Sequence, residues 1–159
     1  LKTSREDKNN YTANVSFVEK NIIRVLKGPQ FDYFSELSKK EFFSKEYKIT
    51  NLTDRMGMRL EGKILKNIVS TNIRSEGITK GAIQVPADGQ PIVLLTDHPT
   101  IGGYPKIANV ISADYDLLVQ KIPGTNISFK CIELQEAERL YKEWCSNISK
   151  IVKNIKKIK

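Results

Sequence analysis

The sequence predicts a mainly β (α+β) chain: a small closed β-barrel with short helices and one long C-terminal helix. Three observations carry that reading. Seven or so short strand-like runs occur along the chain, Gly, Pro and Asp-Gly punctuation separates them every eight to twelve residues, and helical periodicity is confined to three places. The length of 159 residues fits one domain with room for a real core, and 40% hydrophobic residues is near the globular norm.

The elements follow in chain order. Residues 1–10 are polar and unpatterned, which predicts a mobile end. Tyr11, Ala13, Val15 and Phe17 alternate with polar residues, a weak strand signal. Ile22–Leu26 is a β-branched run stopped by Gly28-Pro29, so it reads as strand then turn. Ser35 is placed to cap a short helix over Glu36–Phe43, and Tyr47–Thr50 reads as a strand. Met56, Met58 and Leu60 alternate with Gly57, Arg59 and Glu61, a half-buried strand ended by Gly62. Gly81 opens a strand at Ala82–Val85 and Pro86 closes it. Asp88-Gly89 makes a tight turn, and Pro91 starts Ile92–Thr96, where its missing N–H is harmless. Gly102-Gly103 breaks the chain before a strand over Lys106–Ile111, Ser112 is placed to cap a helix through Val119, and Pro123-Gly124 turns into Ile127–Ile132. Leu134, Ala137, Leu140, Tyr141, Trp144, Ile148, Ile151, Val152, Ile155 and Ile158 recur at three- and four-residue steps, predicting one helix over residues 133–158 whose stripe starts on the barrel. The domain reading is a flexible segment over 1–20, a barrel over 21–145 and a basic helical tail over 146–159.

Charge and composition exclude several classes. The net charge is +8, yet residues 146–159 hold five lysines and no acid; without them 21 basic groups face 18 acidic ones. No basic face interleaved with aromatics is present in the body, so nucleic acid is not an expected partner. No apolar run approaches the ~20 residues of a membrane helix, and there is no secretory signal pattern, so membrane attachment is not expected and a cytoplasmic location is. Cys131 and Cys145 stand alone, without a CxxC or a neighbouring His, and read as small buried hydrophobes; no metal site is expected.

GxGxxG, Walker A, GxSxG and HExxH are all missing from the sequence, and the single His98 cannot build a triad. The chemistry-bearing residues crowd into Ser75–Ile111, where glycines and prolines hold polar groups on stiff turns. The candidate catalytic residues are Lys106, Asp88 and Glu76. The candidate substrate-binding residues are Gly102, Gly103, Tyr104, Gln90, Asp97, Thr100, Arg55 and Arg59. Gly102-Gly103 is read either as a strand irregularity or, with Lys106 beside it, as an anion-binding nest of backbone N–H groups. Arg55 and Arg59 are read either as a solvated strand face or as a carboxylate or phosphate clamp.

Several linked segments resemble one family. They are Thr53–Gly62 (TDRMGMRLEG), Ser75-Glu76-Gly77, Gly81–Pro86 (GAIQVP), Asp88–Leu95 (DGQPIVLL) and Gly102–Ala108 (GGYPKIA), together with the turn Gly28-Pro29-Gln30. In this order they resemble the allophanate hydrolase subunit 2 or biotin-dependent carboxyltransferase family, which contains the C-type subunit of bacterial 5-oxoprolinase and the KipA protein. The match runs from about Ile22 to about Tyr141. The resemblance implies a cyclophilin-like barrel and a subunit 1 or KipI-like partner. It also implies a place in an ATP-dependent amidohydrolase that opens a small cyclic or carbamoyl amide, with ATP bound by the complex and biotin only in carboxylase-type relatives. The alternative it implies is a non-catalytic regulator of the KipA type, or an inactive remnant of a split gene. Relatives carry two barrel halves; the expectation here is the second half alone, the first being absent or on a separate chain. The pair His98-Pro99 and the basic helix after Trp144 depart from the family pattern.

Overall fold

The computed structural model describes residues 11–12 and 20–157. The expected mobile end at 1–10 and most of the weak strand signal lie outside those residues. In chain order the elements are β1 (Tyr11–Thr12), β2 (Ile22–Lys27), a 3-10 turn at Phe31–Tyr33, α1 (Glu36–Ser44), β3 (Tyr47–Ile49), β4 (Gly57–Glu61), β5 (Glu76–Gly77), β6 (Ala82–Gln84), β7 (Ile92–Leu94), β8 (Ile101–Gly102), β9 (Lys106–Val110), α2 (Ser112–Val119), β10 (Asn126–Cys131), α3 (Leu134–Lys153) and β11 (Lys156–Lys157).

Seven strands close a barrel in the order β10-β2-β9-β6-β7-β4-β3. All neighbours are antiparallel except β10 and β2, which run parallel with Phe129 opposite Ile23. Closure leaves no free edge in the main sheet, which is the physical gain of a barrel over an open sheet. The interior is filled by the inward residue of each strand: Ile23, Val25, Tyr47, Ile49, Met58, Leu60, Ile83, Val93, Ile107, Ile127 and Phe129 are almost fully buried. Helix α1 closes one side with Phe42, whose ring stacks on Phe129 at a centroid distance of 4.7 Å. Ser35 caps α1, its hydroxyl accepting from the Ser38 backbone N–H at 3.2 Å.

A second, smaller apolar layer lies outside the barrel wall. Ala82 and Leu94 alternate with the inward Ile83 and Val93, so they face outward, and they pack with Ile78 in a separate cluster. Ile78 belongs to a segment whose strand β5 pairs only with β8, as a two-residue antiparallel ribbon with Glu76 opposite Gly102. This ribbon, laid over β6 and β7, positions the site described below.

Four local expectations are corrected. Arg55 and Met56 precede β4 rather than lying in it, and Met56 is exposed because the strand begins only at Gly57. The N-cap of α2 is Ile111, not Ser112, and no side chain caps it; Asp114 instead turns inward to bind the backbone N–H and guanidinium of Arg24. Helix α3 stops at Lys153, where the Asn154 N–H folds back onto helix carbonyls, and Lys156–Lys157 pairs antiparallel with Tyr11–Thr12. The predicted continuation to residue 158 fails because strand pairing claims the backbone that a further helical turn would need. Both cysteines are half-buried rather than buried, Cys131 having its thiol pKa raised by burial. Of the stripe on α3, only Ala137 is fully buried, while Leu134, Tyr141, Ile148 and Val152 remain exposed.

Candidate functional site

The chemistry gathers where the chain crosses itself at Gly28-Pro29-Gln30. Gly28 passes so close to β9 that its N–H donates to the Ile107 carbonyl at 2.9 Å, and an added Cβ would sit 2.2 Å from the Lys106 carbonyl oxygen. Two residues on, the Gln30 N–H donates to the Lys106 carbonyl at 3.3 Å, and the Lys106 N–H donates to Gln30 Oε1 at 3.2 Å. Gln30 is thus locked to Lys106 in both directions, and its remaining donor, Nε2, is aimed at Glu76 Oε1, 2.7 Å away. The Lys106 ammonium donates to the same carboxylate oxygen.

The result is an asymmetric ion pair. The Lys106 side chain is 5% exposed and that of Glu76 43%. Donation from Lys106, then from Gln30, holds the Glu76 carboxyl below its ordinary pKa of 4.5. The pair opens onto a cleft of about 280 Å³ lined by Pro29, Glu76, Ile78, Thr79, Lys106 and Asn109 among others. Thr79 and Asn109 share a hydrogen bond at 3.2 Å on its wall. Beneath the ribbon, Gln84 lies directly across the ladder from Lys106. It is 6% exposed, and its Nε2 has no hydrogen-bond partner among the described residues. Gly102 makes room for it: a Cβ there would come within 2.7 Å of that nitrogen.

Of the residues singled out in the sequence, the structure brings together Lys106, Glu76 and Gly102. Gly102 serves through its missing side chain and through pairing with Glu76, not as an anion nest. Neither Gly102 nor Gly103 has positive φ, and the Gly103 carbonyl accepts from the Ile73 N–H at 2.9 Å. Thr100 holds the ribbon by its carbonyl, which accepts from the Ile78 N–H at 3.1 Å, while its side chain is exposed. Tyr104 is exposed beside the ribbon.

The others lie elsewhere. The Asp88 carboxylate accepts from the Gln90 N–H at 3.0 Å within its own turn. Gln90 bridges back to Gly62, accepting from its N–H at 2.9 Å and donating to its carbonyl at 3.3 Å. Asp97 pairs with Arg55 at 2.8 Å on the surface, and Arg59 points outward from β4. His98 folds onto the neighbouring Pro99 carbonyl. Gln30 and Gln84 are the site residues that sequence reasoning missed. The available signal was a polar amide at each end of an otherwise apolar strand or turn, a place where burial demands partners. Among the described residues no cluster of His, Cys, Asp and Glu is arranged to hold a metal, and no helix is long and apolar enough to cross a membrane.

Comparison with known proteins places these residues in context. The family described as carboxyltransferase domain, subdomain A and B, matches residues 2–131. The C-type subunit of 5-oxoprolinase from Haemophilus influenzae is 40% identical over 121 residues, covering 76% of this chain and 39% of that protein. Its Escherichia coli counterpart is 42% identical over 117 residues, 74% of this chain and 38% of that one. Urea amidolyase of Lachancea kluyveri is 30% identical over 118 residues, 69% of this chain and 6% of that protein. The crystal structure of urea amidolyase from Kluyveromyces lactis superposes with a TM-score of 0.79 at 26% identity, over 86% of this chain and 9% of that one. The chain therefore spans about two fifths of the length of the bacterial relatives it matches.

Proposed function

This chain belongs to the carboxyltransferase-domain family of subdomains A and B, and from that premise we propose that it forms part of an ATP-dependent amidohydrolase assembly of the 5-oxoprolinase type. The observation that supports the reading is the buried Lys106 ammonium, held by Glu76, whose carboxylate Gln30 also holds, at the wall of a small open cleft. A charge kept from water acts strongly on whatever oxygen approaches it, so Lys106 is the group against which negative oxygen of a small amide substrate settles. Hydrolysis of such an amide breaks its C–N bond and adds water across it. In the unliganded chain Glu76, ionised beside Lys106, holds that ammonium at the cleft wall.

The cleft presents one lining cation, already paired, and does not fit a nucleoside triphosphate. We therefore place ATP on a partner chain of the subunit 1 or KipI-like kind, the partner expected from the family resemblance. The test is reconstitution with such partner chains from the same source, followed by 5-oxoproline-dependent ATP hydrolysis. Lys106→Ala removes one charge-assisted contact and should lower turnover about ten- to a hundred-fold. A reconstituted complex with no such activity, or one whose turnover Lys106→Ala leaves unchanged, overturns the proposal.

A further inference from the structure

We propose that Glu76 is an internal stand-in for a ligand carboxylate. The small molecule that binds this cleft then carries a carboxylate, which replaces Glu76 on Lys106 and Gln30, and a second, neutral acceptor oxygen for Gln84. The inference rests on the cleft being the substrate site.

Four features of the geometry lead there. First, the ion pair is lopsided: the cation is buried on a barrel strand while its carboxylate stands 43% exposed at the open cleft. A buried ammonium is costly to leave unpaired, so Glu76 can leave only when another anion arrives. Second, Lys106 and Gln30 donate to one and the same oxygen of Glu76, which makes them a two-donor cradle for a carboxylate rather than a contact peculiar to glutamate. The cradle is rigid, because Gln30 and Lys106 are tied backbone to backbone and backbone to side chain. Third, Glu76 itself is on a short, thinly packed carrier. The ribbon of β5 and β8 is two residues long on each strand, and Gly77 beside Glu76 has no atoms packed where a side chain would be. Fourth, the ribbon covers an amide donor with nothing to bind. Gln84 Nε2 is buried and unpartnered on the strand position facing Lys106, a cost that an arriving acceptor would relieve. A carboxylate for one pair of donors and a carbonyl oxygen for the other describes a small amide or lactam bearing an acid group.

The experiment is equilibrium binding to the isolated chain, by calorimetry or chemical-shift titration. It uses 5-oxoproline and 2-pyrrolidinone, the same lactam without its carboxylate. Wild type should bind the first and not the second. Glu76→Gln removes the internal competitor and should tighten 5-oxoproline about tenfold, since apparent affinity is reduced by the fraction of sites that Glu76 occupies, with no gain for 2-pyrrolidinone. Lys106→Met should abolish binding. The double variant Lys106→Met, Glu76→Leu leaves no buried charge unpaired, so it controls for a folding defect and should also fail to bind. Weaker or unchanged 5-oxoproline binding by Glu76→Gln overturns the proposal, as does equal binding of the two lactams or no binding of either at millimolar concentration. Turnover of the assembly is not read here. Selective binding without ATP hydrolysis would refute the amidohydrolase reading and leave the carboxylate site standing.

Discussion

Replacing Gly28 by Ala tests whether the chain crossing that locks the site also holds the barrel together. The new Cβ would lie 2.2 Å from the Lys106 carbonyl oxygen and 2.8 Å from the Ala108 nitrogen, both backbone atoms that cannot rotate away. Ordinary contact begins near 3.4 Å, so β9 must recede by more than 1 Å at Lys106. That movement breaks the bonds from the Gly28 and Gln30 N–H groups to β9. Each is worth about 1 kcal/mol net. Residual overpacking adds ~1–3 kcal/mol. The stiffer unfolded chain returns ~0.4–1 kcal/mol. The expected loss is about 2–5 kcal/mol, read as a lower urea midpoint at unchanged slope. Gly77→Ala is the matched control, since nothing lies within 4 Å of its added Cβ; it should stay within about 0.5 kcal/mol of wild type. A Gly28→Ala loss under ~1 kcal/mol, or a comparable loss from Gly77→Ala, refutes the reasoning.

Asp114→Ala strips three hydrogen bonds from Arg24, whose side chain is 25% exposed and can turn partly to water; the cost should be about 2–4 kcal/mol, toward the low end for a broken buried pair. Adding Arg24→Met should recover part of it, and a strictly additive double variant would contradict the pairing. The Glu76 carboxyl titrates below 4.5 in the folded chain, so its stabilising share is present above that pH and is lost as the pH falls through the folded value. The stability gap between wild type and Glu76→Gln should therefore close on acidification, and a gap that widens would reverse the assignment. Truncation after Asn147 removes Ile148, Ile151 and Val152 from the apolar stripe of α3 and should lower the melting temperature or the mass in solution without changing binding to anionic vesicles. Retained mass and melting temperature with lost vesicle binding would assign the stripe to a membrane surface.

Sequence and structure divide the explanation unevenly. Strand positions were legible because burial on one face of a pleated strand writes a period of two, as in Met58 and Leu60 against Arg59, and because Gly81, Gly89 and Pro91 mark where strands must start or turn. Helix α1 was legible through Ser35, whose cap is a local interaction. The end of α3 was not, since its apolar period runs on past Lys153 while the competing partner, Tyr11–Thr12, lies at the other end of the chain.

By itself the sequence determined the class and the family and marked Lys106, Asp88 and Glu76 alike as candidates, because linked motifs and turn chemistry are properties of neighbours along the chain. Only the tertiary structure decided which polar residues act together. Lys106 and Glu76 are 30 residues apart and Gln30 lies 76 from Lys106, yet all three meet at one carboxylate oxygen. Asp88, eighteen positions from Lys106 and on an equally polar turn, satisfies its own backbone instead. The difference is strand register: barrel closure sets Gln84 opposite Lys106 and lays the short ribbon over both, and that pairing depends on contacts no local pattern records.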